Sequence, residues 1–359
     1  MKKISKETEN RKFEHIKVCL NEDIGFKKKT TGFEEVELLH HALPELNFEH
    51  IDLKTKIFGR EFDYPILINS LTGGHQESIK INRTLAQMAA EFNIPMELGS
   101  QRAALENEKL IETYRVAREI SDKVFLIGNI GGAQLINTYG IAEIEKCIEM
   151  IDANAFAIHL NPLQEVLQKE GDLNYLGLLE KIKEIKKQLK IPLIIKETGN
   201  GLEQEDLQAL KSIGIEYVDV GGAGGTSWAA IESFRSTKDS ILANIAQSFK
   251  EWGIPTVVTT ILAKSMGFKV ISSGGIRSGI DIAKAIACGA ELTGLAHPFL
   301  KHAYSENREA LRAQLKMLTR ELKTAMFLTK SSNITALKSA KKIFFGKIRQ
   351  WLEFYQLYK

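Results

Sequence analysis

The stretch His159-Leu160-Asn161-Pro162-Leu163-Gln164-Glu165 puts an imidazole, two amides and a carboxylate within seven residues. One carboxylate does not make an all-protein metal cage, yet one carboxylate plus substrate phosphates is the usual way Mg²⁺ is held. Singly, His159 reads as a core histidine bonded to backbone and Glu165 as a first-turn helix carboxylate near the positive dipole end. Together on one loop they read as a site. A second stretch, Ser273-Gly274-Gly275-Ile276-Arg277-Ser278-Gly279, precedes a helical run at 281–290. Its N–H groups are placed to meet an anion at a helix N-terminus, unless the glycines serve only a tight turn. Lys196 ends an apolar run, and an ammonium there is costly without a negative partner, either a bound anion or a loop carboxylate such as Glu197. Arg102 has the fork to clamp a phosphate, or pairs with Glu106. Arg11 and Lys12, beside Glu14 and His15, form a mixed-charge cluster that alone reads as a solvated tail. Glycines 131, 132, 221, 222, 224 and 225 allow backbone to approach a flat ring, favouring a planar cofactor with a phosphate tail. Flavin mononucleotide (FMN) fits better than pyridoxal phosphate, which needs a Schiff-base lysine and a ring-nitrogen partner; Lys196 alone does not exclude it.

The elements that must position these groups are short apolar runs alternating with helical stretches. The runs are 65–69, 95–99, 124–129, 155–160, 192–197, 216–220, 268–273 and 291–296. Strands separated by helices are joined by crossovers and lie parallel, and eight of them predict a closed (β/α)8 TIM barrel of the α/β class. The β-branched run 255–260 reads as a helical turn started by Pro255, inside a long insertion after the sixth strand. An open doubly wound sheet is the competing fold, but the loop after the first run, Ser70-Leu71-Thr72-Gly73-Gly74, lacks its GxGxxG spacing. Around the barrel, 61–300, the sequence predicts an N-terminal extension over 1–60 and a C-terminal helical segment over 301–359. In such a barrel the chemistry sits at the C-terminal ends of the strands, where every stretch above falls.

The 359 residues are 44% hydrophobic and 26% charged, which excludes a disordered chain. No apolar run is long enough for a membrane span, and no apolar segment follows the basic N-terminus, so a cytoplasmic protein without membrane partners is expected. Three scattered cysteines argue against disulfides and a zinc site. Residues 301–359 carry 13 Lys/Arg against 4 Asp/Glu. Leu311, Leu315, Leu318 and Leu322 recur among those charges at helical spacing, so the segment reads as solvated helix faces and not as a nucleic-acid surface.

From Arg11 to about Leu300 the chain resembles the type 2 isopentenyl-diphosphate isomerases, FMN-dependent barrel enzymes of isoprenoid biosynthesis. The carrying motifs are RKFEHI (11–16), NSLTGG (69–74), MELGSQR (96–102), GNIGG (128–132), HLNPLQE (159–165), KETGNG (196–201), DVGGAGGTSW (219–228) and SGGIRSG (273–279). The resemblance implies that Ser70, Leu71, Thr72, Ser100, Asn129, Lys196 and Thr226 surround the flavin, with Gly274, Gly275, Leu295 and Ala296 at its phosphate. It implies that Arg11, Lys12, Ser100, Gln101, Arg102 and Gln164 contact substrate, and that Gln164, His159 and Asn161 form the catalytic group. Glu165 is implied as the Mg²⁺ ligand, reduced FMN as the active form and NADPH as its reductant. The implied partners are isopentenyl and dimethylallyl diphosphate and further copies of the chain. Leu71 stands where the family more often has Met, and Gly132 where it often has Ala. Two enzyme readings compete less well. A 2-hydroxy-acid oxidase needs a His base beside an Arg, and an IMP-type dehydrogenase needs a Cys in the loop after strand six, where GGAGGT has none. A non-catalytic flavin-binding barrel is the remaining alternative.

Overall fold

The computed structural model describes residues 2–237 and 240–358. Short strands lie at Val36–Leu38 (β1), Thr55–Ile57 (β2) and Arg60–Phe62 (β3). The barrel strands follow at Ile66–Ile68 (β4), Met96–Glu97 (β5), Leu126–Gly131 (β6) and Ala155–Leu160 (β7). They continue with Leu193–Glu197 (β8), Tyr217–Asp219 (β9), Lys269–Ser273 (β10) and Ala290–Leu295 (β11), and Lys342–Phe344 (β12) lies near the C-terminus. Strands β4 to β11 pair in parallel and close into one barrel. Each falls on one of the eight expected runs. Residues 255–260 lie in and just before the helix Thr256–Ser265, within the insertion between β9 and β10.

The strand period of two sorts each strand's side chains. One set, including Ile68, Met96, Ile130, Ile158, Ile195 and Val218, packs outward on the helices. The other fills the barrel: Leu67, Ile127, Ala157, Ile194, Ile271 and Leu292 form an apolar layer. The hairpin of β2 and β3 plugs the bottom with Ile57 and Phe62, turning through Phe58 and Gly59 at φ 56° and 76°. One step further up these strands the inward positions turn polar: Asn69, Glu97, Asn129, His159, Lys196, Asp219 and Ser273. That polar layer is the floor of the catalytic face.

Across the expected boundary at 300, the C-terminal segment packs on the barrel's helices. The helix Arg308–Leu328 buries Leu311, Leu315, Leu318 and Leu322 and packs on the helix Gly279–Ala287. A Cβ at Gly279 would lie 2.2 Å from Leu318 O, so only glycine permits this approach. Strands β1 and β12 pair antiparallel, Val36 opposite Phe344, tying the chain's two end regions together. Among the described residues no helix is long and apolar enough to cross a membrane.

Candidate active site

A buried polar network fills the floor. Lys196 Nζ donates to Glu97 Oε2 and Asn69 Oδ1, each at 2.9 Å, and lies 3.7 Å from Asp219 Oδ2. Burial works against the ammonium, but Glu97 and Asp219 outweigh it and raise the Lys196 pKa. The expected partner Glu197 is not used. Its Oε2 instead accepts the N–H groups of Thr198, Gly199, Asn200 and Gly201, because β8 turns at that point into a loop that folds back over its end. Asn129 Nδ2 donates to Glu97 Oε1 at 2.5 Å, and Asn129 Oδ1 meets His159 Nδ1 at 2.8 Å. Burial, Lys196 and Lys12 push His159 down to about 3, so its ring is neutral near pH 7.

Above this floor one pocket is lined by every residue the resemblance assigns to the flavin: Ser70, Leu71, Thr72, Ser100, Asn129 and Lys196. Thr226, Gly274, Gly275, Leu295 and Ala296 complete that set. The phosphate end differs from expectation in its donors. The N-terminus of the helix Gly279–Ala287 is filled by its own Asp281, which accepts from the N–H groups of Arg277 and Ser278 while Ser278 caps Asp281 N. Donors left there include the N–H groups of Gly274, Gly275 and Ala296, which meet no protein acceptor among the described residues. Gly274 has φ 104°, and a Cβ there would lie 2.1 Å from Gly222 O. The cradle is therefore open only to glycine, and Arg277 lines the same end.

The rim is built by the N-terminal helix Lys2–Asn21 and the helix Pro162–Leu167. Arg11, Lys12 and Arg102 gather there. Burial, then the neighbouring Arg11 and Arg102, push Lys12 down to about 7. Arg11 donates to Gln168 Oε1 at 3.0 Å, and Arg102 pairs with Glu106 at 2.7 Å and Asp172 at 3.2 Å. Asn161 Nδ2 donates to Gln164 Oε1 (2.9 Å) and Glu165 Oε1 (3.1 Å), while Gln164 Nε2 donates to Glu232 Oε1 at 3.2 Å. Glu232 is buried, and burial acts to raise its pKa. His15 at 2.9 Å, Arg235 at 2.5 Å and Gln164 override this and hold it below the usual carboxylate range. Asn161 Oδ1 and Thr198 Oγ1, both in pocket-lining residues, are buried polar atoms without a hydrogen-bond partner among the described residues. Cys19 also lines the pocket, but burial pushes its thiol up to about 12, so it is no nucleophile.

Gln101, expected at the substrate, is not in the pocket. It is fully buried, with Oε1 accepting from Asn129 N (3.0 Å) and Nε2 donating to Cys147 O (2.8 Å). The chain turns into the helix Arg102–Glu106 at this point, and the turn sends Ser100 and Arg102 to the pocket but Gln101 into the layer behind it. The residues that motif reading missed are Glu232, His15, Arg277, Glu97 and Asp219. Four of them stood inside quoted motifs without a role. Glu232 had only one signal, a carboxylate among the apolar residues of 228–231.

Fold and site together define a closed (β/α)8 barrel with one pocket at the strand ends, where glycine backbone lies at one end and Arg11, Lys12 and Arg102 gather at the rim. The sequence pattern of the family described as FMN-dependent dehydrogenase matches residues 4–118 and 162–342. Solved structures share the fold: flavocytochrome b2 with sulfite bound aligns with a TM-score of 0.66 at 16% identity, covering 96% of this chain and 88% of that one. Mandelate oxidase with the monooxide FMN adduct aligns at 0.59 and 17% identity, covering 88% and 90%. Much nearer in sequence is the isopentenyl-diphosphate delta-isomerase of Pyrococcus furiosus, 44% identical over 96% of this chain and 88% of its own length. That of Methanothermobacter thermautotrophicus is 44% identical over 96% and 95%. The chain belongs to the isopentenyl-diphosphate delta-isomerase family.

Proposed function

We infer that this protein is an isomerase that interconverts isopentenyl and dimethylallyl diphosphate, with FMN held in the cradle. The observation that carries the reading is the pair of anion sites in one pocket. The glycine cradle suits a single phosphate on a flat cofactor, and the cations Arg11, Lys12 and Arg102 suit a diphosphate. FMN fits what is present: N–H donors at Gly274, Gly275 and Ala296 that are unpaired among the described residues, a backbone approach open only to glycine, and a cation on the floor. In its reduced form, bound FMN supplies an electron-rich ring and an exchangeable proton.

The chain's own residues do the positioning. An isolated alkene is a weak base, so the double bond moves only if a proton is delivered at one carbon and removed beside another, with positive charge between. Neutral His159 keeps a cation away from that charge. Gln164 is oriented from both ends, by Asn161 on Oε1 and Glu232 on Nε2, so its amide is held without being a strong base. Glu232, kept ionised by His15 and Arg235, places a negative charge behind Gln164. Gripping the diphosphate at the rim converts remote binding energy into alignment of the alkene. Mg²⁺ fits Glu165 together with substrate phosphates, with Asn161 Oδ1 as a second hard oxygen. Among the described residues no group of three His, Cys, Asp or Glu side chains stands ready for a metal. NADPH enters as the reductant of the flavin. The cytoplasm and a homo-oligomer complete the reading.

The test is stoichiometric. NADPH or dithionite should be needed once, to activate the holoenzyme, and dimethylallyl diphosphate formed in D₂O should carry deuterium in its new methyl group. One NADPH lost per product would replace the isomerase by an oxidoreductase.

Arg11→Ala and Lys12→Ala should each raise KM for isopentenyl diphosphate by roughly ten- to a hundredfold, the worth of one charged hydrogen bond, with the flavin spectrum unaltered. Lys12 adds a pH signature. Held near 7 in the free enzyme, it is neutral above that pH and must take up a proton when the diphosphate binds. KM should therefore rise as pH increases through about 7, and that rise should vanish in Lys12→Ala. An unchanged pH profile in the variant would remove Lys12 from the diphosphate site.

A further inference from the structure

We propose that Glu97 is a positioning residue whose carboxylate locks the lysine and amide beneath the cofactor ring and makes the bound flavin harder to reduce. The inference rests on the reading that FMN occupies the pocket above Lys196. Glu97 does not line that pocket; it lies one layer behind and touches three groups that do. Lys196 Nζ (2.9 Å) and the Ser70 N–H (3.3 Å) donate to its Oε2, and Asn129 Nδ2 (2.5 Å) donates to its Oε1. All three are donors, so the side chain is an acceptor on both oxygens, which is the ionised form. Glu97 is 3% exposed, Lys196 5% and Asp219 1%, so water screens little of their charge.

The count of charges then matters. One ammonium, Lys196, faces two carboxylates, Glu97 at 2.9 Å and Asp219 at 3.7 Å. Lys196 alone would favour the negative charge that a flavin ring gains on reduction. With two carboxylates beside it, the cluster carries a formal surplus of one negative charge, and reduction is opposed. Glu97 also spends one Lys196 donor, and Asn69 Oδ1 a second at 2.9 Å, leaving one N–H to reach upward. The carboxylate thus fixes where the lysine points as well as how much of its charge is felt.

The test is the midpoint potential of FMN-reconstituted protein, measured against reference dyes in wild type, Glu97→Gln and Glu97→Asp. Glu97→Gln keeps the shape and removes the charge. It should shift binding about tenfold in favour of reduced over oxidised flavin, a rise of ~30 mV for a two-electron couple. Glu97→Asp keeps the charge and should stay near wild type, whereas a purely steric role would spare the isosteric Glu97→Gln and disturb the shorter Glu97→Asp. An unchanged or lower potential in Glu97→Gln overturns the inference. If that variant does not fold, Asp219→Asn carries the test, since it removes the other half of the same surplus and must raise the potential; no rise overturns the inference equally. Wild-type protein that takes up no FMN in a titration would instead refute the flavin reading on which the inference rests.

Discussion

Glu165→Gln is expected to lower turnover roughly a hundredfold at moderate Mg²⁺, with activity partly restored as Mg²⁺ is raised and with the flavin spectrum unchanged. The substitution is nearly isosteric. Glu165 Oε1 accepts from Asn161 Nδ2 and Oε2 from the Asp172 N–H at 2.8 Å, and a glutamine oxygen still satisfies one of these donors. What is lost is one negative charge at the rim, in the same pocket where Arg11, Lys12 and Arg102 gather for the entering diphosphate. A hard cation prefers an anionic oxygen to a neutral amide, so the deficit should appear in the Mg²⁺ titration and not in cofactor content. A variant with wild-type Mg²⁺ dependence would reduce Glu165 to a carboxylate that ties the helix Pro162–Leu167 to the loop at Asp172.

Lys196→Ala is expected to destabilise the fold by about 3 kcal/mol or more and to lower flavin occupancy, because it strands buried charges of one sign. Glu97 and Asp219 are both almost fully buried, and Lys196 is their only cationic neighbour within 4 Å among the described residues. The pH dependence distinguishes this cause from simple loss of packing. Burial raises the folded-state pKa of Glu97, and without the ammonium that opposes this rise the carboxyl lies further above its unfolded value, so the folded variant binds more protons than the unfolded chain. Its stability should then fall as pH rises, and the gap to wild type should be smaller near pH 5 than near pH 8. Thermal melts of both proteins across that range decide the matter. A gap constant with pH would mean that Lys196 contributes only bulk.

Much of this molecule is legible before folding is considered. Apolar runs that alternate with helical stretches demand parallel strands and crossovers, and eight such runs close a barrel, because those demands are local and repeat. The catalytic face follows for the same reason: HLNPLQE, KETGNG and SGGIRSG each trail a strand and so must lie at its C-terminal end. Tertiary structure decided which charge meets which. Lys196 passes over its sequence neighbour Glu197 and takes Glu97 and Asp219, since strand alternation turns all three inward at one height and the closing of the barrel sets β5, β8 and β9 around a common axis. Asp281 fills the helix end that the motif leaves open for a phosphate, and Gln101 faces away from a pocket that its neighbours Ser100 and Arg102 line. Glu232 reaches Gln164 from a helix 68 residues further along the chain. Residue type and spacing tell what a side chain is able to do, but its partner depends on register, closure and the direction of each turn, and these are settled only when distant strands and helices pack against one another.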